Sequence, residues 1–174
     1  MRIGTGLLAA VFAVAVALDQ WLKYLVETRL ELQEKVDVLP FLALYRTYNT
    51  GIAFSMLSWF GDKGLIVVTL AVAAFILYLA WRSDPAQVFA RLGFTLILGG
   101  AIGNLIDRIF RSPGFLQGHV VDFVSVFGPN AQYFPVFNVA DSAITIGGIS
   151  LVVTALLGID FDGTRTRSGK AKDA

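Results

Sequence analysis

The sequence has no cysteine, a single histidine and almost balanced charge. The absence of cysteine excludes disulfides, thiol nucleophiles and thiolate-bound metals. His119 alone cannot form a multi-histidine metal site within one chain, and we expect neither a metal nor another cofactor. Lys and Arg number 14 against 13 Asp and Glu, which leaves a net charge of +1. So small a charge argues against a nucleic-acid-binding protein, which usually relies on a basic surface.

Hydrophobic residues make up 56% of the 174 residues, and charged residues only 16%. Soluble domains usually carry about 25% charged residues, so this composition indicates a membrane protein. Apolar runs long enough to cross a bilayer predict four transmembrane helices, over residues 4–26, 64–81, 88–110 and 138–159. The first run also resembles a signal peptide, but its helical character continues past Asp19, which favours a span.

The segment between the first two spans has a different character. Residues 27–50 mix charges with β-branched and aromatic residues around Pro40, a pattern that predicts two or three short strands. Asn49-Thr50-Gly51 predicts a turn. The apolar and aromatic residues 52–60 are predicted to lie at the membrane interface.

Basic residues predict how the chain crosses the membrane. Cytoplasmic flanks of transmembrane helices are enriched in Lys and Arg. One side of the predicted spans holds Arg2, Arg82, Arg91 and the basic residues of the tail. We therefore predict that both termini are cytoplasmic. The tail, residues 161–174, is polar and is predicted to be disordered.

The polar residues inside the predicted spans converge at one depth. With a rise of 1.5 Å per residue from the cytoplasmic ends, Asp19 lies about 24 Å up its helix, Asn104 about 20 Å and Asp141 about 27 Å. In a hydrocarbon core of about 30 Å, all three belong to the outer leaflet or its edge. Intramembrane charges are costly and usually functional. The convergence therefore predicts a site at the extracytoplasmic edge.

Spacing along the helices adds further candidates. Asp19 and Lys23 are four residues apart and share a helical face, so they can pair. Asn104, Asp107 and Arg108 are three and four apart and share a face in the same way. An alternative role for the charged members is to anchor the helices by extending to the interface.

Asp122 and Asp141 are the candidates for catalysis, because neither has a cationic neighbour in the sequence. Two carboxylates that share a site hold one proton between them. The ionised partner then activates a water while the protonated partner polarises a carbonyl, which is aspartic peptidase chemistry. Ser125, His119 and Asp122 offer the residue types of a serine hydrolase. Their closeness in sequence argues against the relay that such an enzyme needs.

Five blocks of the sequence, in this order, resemble the motifs of lipoprotein signal peptidase, also called signal peptidase II. They are Leu18-Asp19-Gln20-Trp21-Leu22-Lys23, Asn49-Thr50-Gly51-Ile52-Ala53-Phe54, Gly99-Gly100-Ala101-Ile102-Gly103-Asn104-Leu105-Ile106-Asp107-Arg108, Val120-Val121-Asp122-Phe123 and Phe137-Asn138-Val139-Ala140-Asp141. The resemblance implies an aspartic endopeptidase of the bacterial inner membrane. Such enzymes remove the signal peptide from prolipoproteins, cutting before a cysteine that carries diacylglycerol.

The resemblance also implies the fold and the site. The expected fold is a mainly α-helical membrane protein with four transmembrane helices, a small extracytoplasmic β-sheet (the cradle, about 31–55) and a short extracytoplasmic helix within 114–129. Residues 1–160 would form a single membrane-embedded peptidase domain. Asp122 and Asp141 match the catalytic pair of the family. The residues matching its site-supporting or substrate-binding positions are Asp19, Lys23, Asn49, Gly51, Asn104, Asp107, Arg108 and Asn138.

The implied partners are diacylglyceryl-modified prolipoproteins, membrane lipids and inhibitors of the globomycin type. One chain supplies the whole predicted site, so a monomer is sufficient. Two other functions stay open on the residues alone. A proton- or ion-coupled transporter would use a relay of intramembrane charges, although transporter sites usually lie near the bilayer midplane. A non-catalytic chaperone for lipoproteins would tolerate the loss of Asp122.

Overall fold

The computed structural model describes residues 3–51, 61–127 and 133–158. Over these residues the elements are α1 (Thr5–Arg29), β1 (Lys35–Leu39), β2 (Leu42–Asn49), α2 (Gly61–Arg82), α3 (Val88–Phe110), β3 (Val120–Val126) and α4 (Val139–Leu156). Four of the described helices are long and apolar enough to cross a membrane, and each overlaps one of the predicted spans. The predicted fold, mainly helical with a small sheet, is confirmed.

Helix α3 is central to the bundle because it packs against α1, α2 and α4. Its contact with α4 depends on glycine. A Cβ atom at Gly147 would lie 2.6 Å from the carbonyl oxygen of Gly93, and one at Gly100 would overlap the carbonyl group of Ala140. Glycine at these positions lets the two helices approach closely, as small residues do in membrane bundles. The first turn of α4 therefore lies directly against the second half of α3.

The three strands form one antiparallel sheet in the order β1-β2-β3. Strands β1 and β2 lie in the segment where two or three short strands are predicted, and Thr47 of β2 lies opposite Asp122 of β3. The sheet packs onto the end of α1 through a small apolar core formed by Val26, Val121 and Phe123. This core fixes β3, and Asp122 with it, beside the helix bundle.

The prediction of an extracytoplasmic helix within residues 114–129 is wrong for residues 114–127, the part of this segment that the structure describes. The chain makes turns there and then forms β3 at Val120–Val126. Valine and phenylalanine suit a pleated, half-buried surface, and β2 supplies an edge with which this segment pairs. Residues 128–129, the predicted interfacial segment 52–60 and the tail 161–174 lie outside the described residues. The extent of the domain, 1–160, stays a prediction.

Candidate active site

Asp122 and Asp141 reach the same place from a strand and from a helix. Asp122 lies in β3, and Asp141 lies in the first turn of α4. Phe137, just before α4, is hydrogen-bonded to β3. Its amide donates to the carbonyl oxygen of Val124 at 3.1 Å, and its carbonyl oxygen accepts from the Val124 amide at 2.7 Å. These bonds fix the start of α4 against β3 and so bring the two aspartates together.

Asn138 contacts both aspartates. Its Nδ2 donates to Asp122 Oδ1 at 2.7 Å, and its backbone amide donates to Asp141 Oδ2 at 3.2 Å. Its Oδ1 accepts from the Asp141 amide at 2.9 Å, which makes Asn138 the N-cap of α4 in a capping box with Asp141. Because Asn138 is completely buried, it fixes how the two carboxylates lie relative to each other.

Lys23 is the centre of a second polar group, which lies behind the aspartate pair. Its fully buried ammonium has three N–H donors. The acceptors are Asp19 Oδ2 at 2.8 Å, Asp107 Oδ2 at 2.9 Å and Asn104 Oδ1 at 2.9 Å. Each donor therefore has a partner, as a buried charge requires. The ion pair between Asp19 and Lys23 is the one that their spacing predicts.

Asn104 connects Lys23 to Asp141. Its Oδ1 accepts from Lys23 Nζ and, at 3.1 Å, from Asn138 Nδ2. Its own Nδ2 is thereby directed to Asp141 Oδ1, to which it donates at 2.8 Å. Asp19 makes a separate link to α4, because its Oδ1 accepts from the backbone amide of Ala140 at 2.9 Å. Polar residues of α1, α3 and α4 thus form one hydrogen-bonded network.

The predicted turn at Asn49-Thr50-Gly51 is present beside the aspartates. Asn49 Oδ1 accepts from the Gly51 amide at 2.8 Å. Gly51 has a φ of 84°, a conformation that side chains disfavour. The Asn49 side chain also hydrogen-bonds to Asp122. Arg108 lies half-buried near the end of α3, where its carbonyl oxygen accepts from the Gly118 amide at 2.9 Å.

The surroundings of Asp122 raise its pKa. Only 2% of Asp122 is exposed, and this burial is the largest cause of the increase. The negative charge of Asp141 raises the pKa further, whereas hydrogen bonds with Asn49 and Asn138 and the charge of Lys23 lower it. The resulting pKa is about 7, compared with an ordinary value of 3.8. Asp122 therefore holds a proton in a large share of the molecules at neutral pH.

A cavity of about 420 Å³ opens beside Asp141. Most of its surface is aromatic or aliphatic, and the lining residues are Phe134, Pro135, Phe137, Asp141, Ser142, Thr145 and Ile146. Asp141 is the one charged side chain in this lining, as far as the described residues show. An apolar chain that occupies the cavity would lie next to the Asp141 carboxylate.

Arg111 and Gln20 also belong to the network, and sequence reasoning missed both. Arg111 Nε donates to Asp107 Oδ1 at 2.7 Å, and Gln20 Nε2 donates to the same oxygen at 2.9 Å. The spacing of Arg111, four residues after Asp107, was a signal that could have identified it. For Gln20 the sequence offers only its position next to Asp19.

Comparison with known proteins gives consistent matches over most of the chain. The family model described as Signal peptidase (SPase) II matches residues 11–157. The lipoprotein signal peptidase of Mesorhizobium japonicum is 53% identical over 150 residues, which are 86% of this chain and 85% of that protein. That of Brucella ovis is 53% identical over 148 residues, which are 85% of this chain and 88% of that protein. A bacterial membrane enzyme solved by the in meso method at 1.9 Å resolution is 30% identical, with a TM-score of 0.76 over 89% of this chain and 96% of that chain.

Proposed function

The chain belongs to the signal peptidase II family and is a multi-pass inner-membrane peptidase, and we propose how it cuts its substrate. Asp122 and Asp141 share one proton and activate a water molecule. The water attacks the peptide bond that precedes a diacylglyceryl-modified cysteine in a prolipoprotein. The observation that carries this proposal is the hydrogen bonding of Asn138 to both carboxylates, at 2.7 Å and 3.2 Å.

The two aspartates have different roles in the proposed reaction. Asp141 takes a proton from the water, and Asp122 polarises the scissile carbonyl and then protonates the leaving amine. Their environments support this division. Asp122 is buried and has a raised pKa, whereas Asp141 lies at the positive end of the α4 dipole and accepts bonds from Asn104 and Asn138. The measured titrations will belong to the pair as a whole.

The positions of charges support a site on the extracytoplasmic side. Asp19 and Lys23 lie in the second half of α1, and Asp141 opens α4, so these groups share one end of the bundle with the sheet. Arg82 and Arg91 flank the α2–α3 connection at the other end. Basic flanks are typically cytoplasmic, which supports our proposal that both termini are in the cytoplasm and that the aspartates lie at the outer edge of the membrane.

The same arrangement supports the proposed partners. The apolar cavity beside Asp141 suits the hydrophobic or lipid part of a prolipoprotein. Exposed apolar side chains on the helices, such as Val67 and Val152, would contact membrane lipids. Hydrogen bonds within one chain join the site residues of α1, α3, β3 and α4, which supports our proposal that one copy is sufficient. Inhibitors of the globomycin type are expected to compete for this site.

A matched pair of precursors tests the proposed substrate. One is a prolipoprotein whose cysteine carries diacylglycerol, and the other has serine at that position and so carries no lipid. We expect the purified enzyme to cleave only the lipid-modified precursor, and mass spectrometry to locate the cut directly before the modified cysteine. Equal cleavage of the serine precursor, or a cut at another bond, would show that the assigned substrate is wrong.

Activity is expected to fall as the pH rises through about 7. The folded protein raises the pKa of Asp122 from 3.8 to about 7, so the pair keeps its shared proton below about pH 7 and loses it above. Without that proton no acid faces the scissile carbonyl. We expect kcat/KM for the lipid-modified precursor to decrease about tenfold per pH unit on the alkaline limb. A profile that stays flat to about pH 9 would contradict the role of Asp122 as the acid.

A further inference from the structure

We propose that Arg111 is a positioning residue for the reaction. It holds Asp107 in place, so that Lys23 keeps its hydrogen bond to Asn104 and Asn104 keeps its hydrogen bond to Asp141. This inference rests on the proposed function, because it takes Asp141 as one of the catalytic pair. Arg111 itself acts only through these other residues.

Arg111 forms the outer end of the buried network. It is the C-cap residue of α3, and all three parts of its guanidinium have a partner. Its Nε donates to Asp107 Oδ1 at 2.7 Å, its Nη2 donates to Gln20 Oε1 at 3.3 Å, and its Nη1 pairs with Glu27 Oε2. The side chain of Arg111 is 17% exposed and that of Glu27 is 23% exposed. This end of the network is therefore close to water, whereas the Lys23 end is sealed from it.

The charges alternate in sign along the network, in the order Glu27, Arg111, Asp107, Lys23 and Asp19. Three carboxylates thus face two cations. Without Arg111, Lys23 would be the one cation among these residues, beside three carboxylates. Asp107 and Lys23 are both completely buried, so water cannot screen the resulting imbalance.

Asp107 transmits the effect of Arg111 to Lys23. Its Oδ1 accepts from Arg111 and Gln20, and its Oδ2 accepts from Lys23 and, at 3.2 Å, from the Val121 amide. Loss of Arg111 removes a charged donor from this carboxylate. The remaining charge then attracts the Lys23 ammonium more strongly and draws it towards Asp107.

Lys23 transmits the effect to the aspartate pair. An ammonium drawn towards Asp107 moves off Asn104 Oδ1, which accepts from it at 2.9 Å. That bond is one of two that direct the Asn104 amide group towards Asp141. With Asn138 as the one remaining donor of the two, the Asn104 amide group is held less firmly, and so is its 2.8 Å hydrogen bond to Asp141. The position of the catalytic carboxylate therefore depends on an arginine that it does not contact.

Arg111 also fixes the orientation of Gln20. Because Gln20 Oε1 accepts from Arg111, its Nε2 faces inward, where it donates to Asp107 Oδ1 and, at 3.0 Å, to the carbonyl oxygen of Gly103. Loss of Arg111 would release this amide group as well. Arg111 therefore acts on the Asp107 carboxylate in two ways, through its own ion pair and through the Gln20 amide group.

The test compares three variants of the purified enzyme acting on the lipid-modified precursor. For Arg111→Gln we expect kcat to fall about tenfold while KM stays within about twofold, because one positioning contact is lost and no substrate contact changes. Arg111→Lys should recover most of the loss, since a lysine four residues after Asp107 keeps the ion pair. The matched control is Arg29→Gln, an exposed arginine at the end of α1, which should leave kcat and KM unchanged.

A double-mutant cycle shows whether Arg111 acts through Asn104. In an Asn104→Ala background, Arg111→Gln should reduce kcat by less than about twofold, because the connection to Asp141 is already broken. Full additivity of the two effects would overturn the proposal. It would also be overturned by a normal kcat in Arg111→Gln, or by a lower thermal stability with an unchanged kcat for the folded enzyme.

These outcomes separate the positioning role from the proposed function. If Asp141→Asn keeps its activity, the aspartate mechanism is wrong whatever Arg111 does. If Asp141→Asn is inactive and Arg111→Gln has a normal kcat, the mechanism stands and only the role of Arg111 is wrong.

Discussion

Asp122→Asn and Asp141→Asn are each expected to reduce cleavage of a lipid-modified precursor about a thousandfold. Asparagine keeps the size of each side chain and much of its hydrogen bonding. It can neither take a proton from water nor give one to the leaving amine. The two single variants and the double variant should be about equally inactive, because the aspartates act as one unit. Single-turnover cleavage, followed by the shift of the precursor on a gel, measures the effect.

The control for these variants is Asp37→Asn. Asp37 is 71% exposed and pairs with Lys35 on β1, away from the aspartates, so its variant should keep full activity. Full activity in either Asp122→Asn or Asp141→Asn would contradict the proposed mechanism.

Asp122→Asn should also be at least as stable as the parent protein at neutral and alkaline pH. The fold raises the pKa of Asp122 from 3.8 to about 7, which means that the folded protein disfavours its charged form. The contribution of this carboxyl to stability is complete below about pH 3.8 and is lost as the pH rises through about 7. Asparagine carries no charge and avoids that loss. An inactive variant with normal or higher thermal stability would show that activity is lost through chemistry and not through unfolding.

The same variants distinguish the other two functions. A chaperone for lipoproteins would support lipoprotein maturation with Asn at position 122, because holding a substrate needs no proton transfer. A transporter would show uptake into proteoliposomes that depends on Asp141. Asp107 lies in the last turn of α3 and Asp141 in the first turn of α4, away from the midpoints of these helices, which does not favour a transporter.

That Asp19, Asn104 and Asp141 lie at one level of the bundle could be predicted from the sequence, but their contacts could not. A regular rise per residue places Asp19, Asn104 and Asp141 at one level from their positions in the apolar runs alone. It does not say which helices are neighbours or which faces they turn to each other. The 2.8 Å bond from Asn104 to Asp141 depends on the close approach of α3 and α4, which glycines such as Gly147 permit.

Strand β3 was missed because its partner is remote in the sequence. Val120–Val126 pairs with β2, which ends about seventy residues earlier at Asn49, so no local pattern identifies the pairing. Asp122 could be selected from the sequence as a carboxylate without a cationic neighbour. The hydrogen bond from Asn138 to Asp122 could not be predicted, because it needs β3 and the start of α4 to lie side by side.

Lys23→Met is expected to lose both stability and activity. The substitution leaves Asp19 and Asp107 buried, with the ammonium that joins them removed. Removing one partner of a buried ion pair typically costs about 3–5 kcal/mol. Asn104 Oδ1 also loses a donor, so its bond to Asp141 is no longer held. Denaturation of the purified protein in detergent measures the stability, and precursor cleavage measures the activity.

Lys35→Met is the matched control, because the ion pair of Lys35 with Asp37 is 2.7 Å long but exposed. Such a pair contributes at most about 1 kcal/mol, so stability and activity should be nearly unchanged. Adding Asp19→Asn to Lys23→Met should restore part of the stability, since one of the two carboxylates that Lys23 pairs with is then uncharged and Asp107 keeps its ion pair with Arg111. Activity should stay low, because Asn104 Oδ1 still lacks the Lys23 donor, one of its two. If Lys23→Met were no less stable than Lys35→Met, or if the double variant regained activity, Lys23 would not hold Asn104 and the aspartate pair in the way that the network indicates.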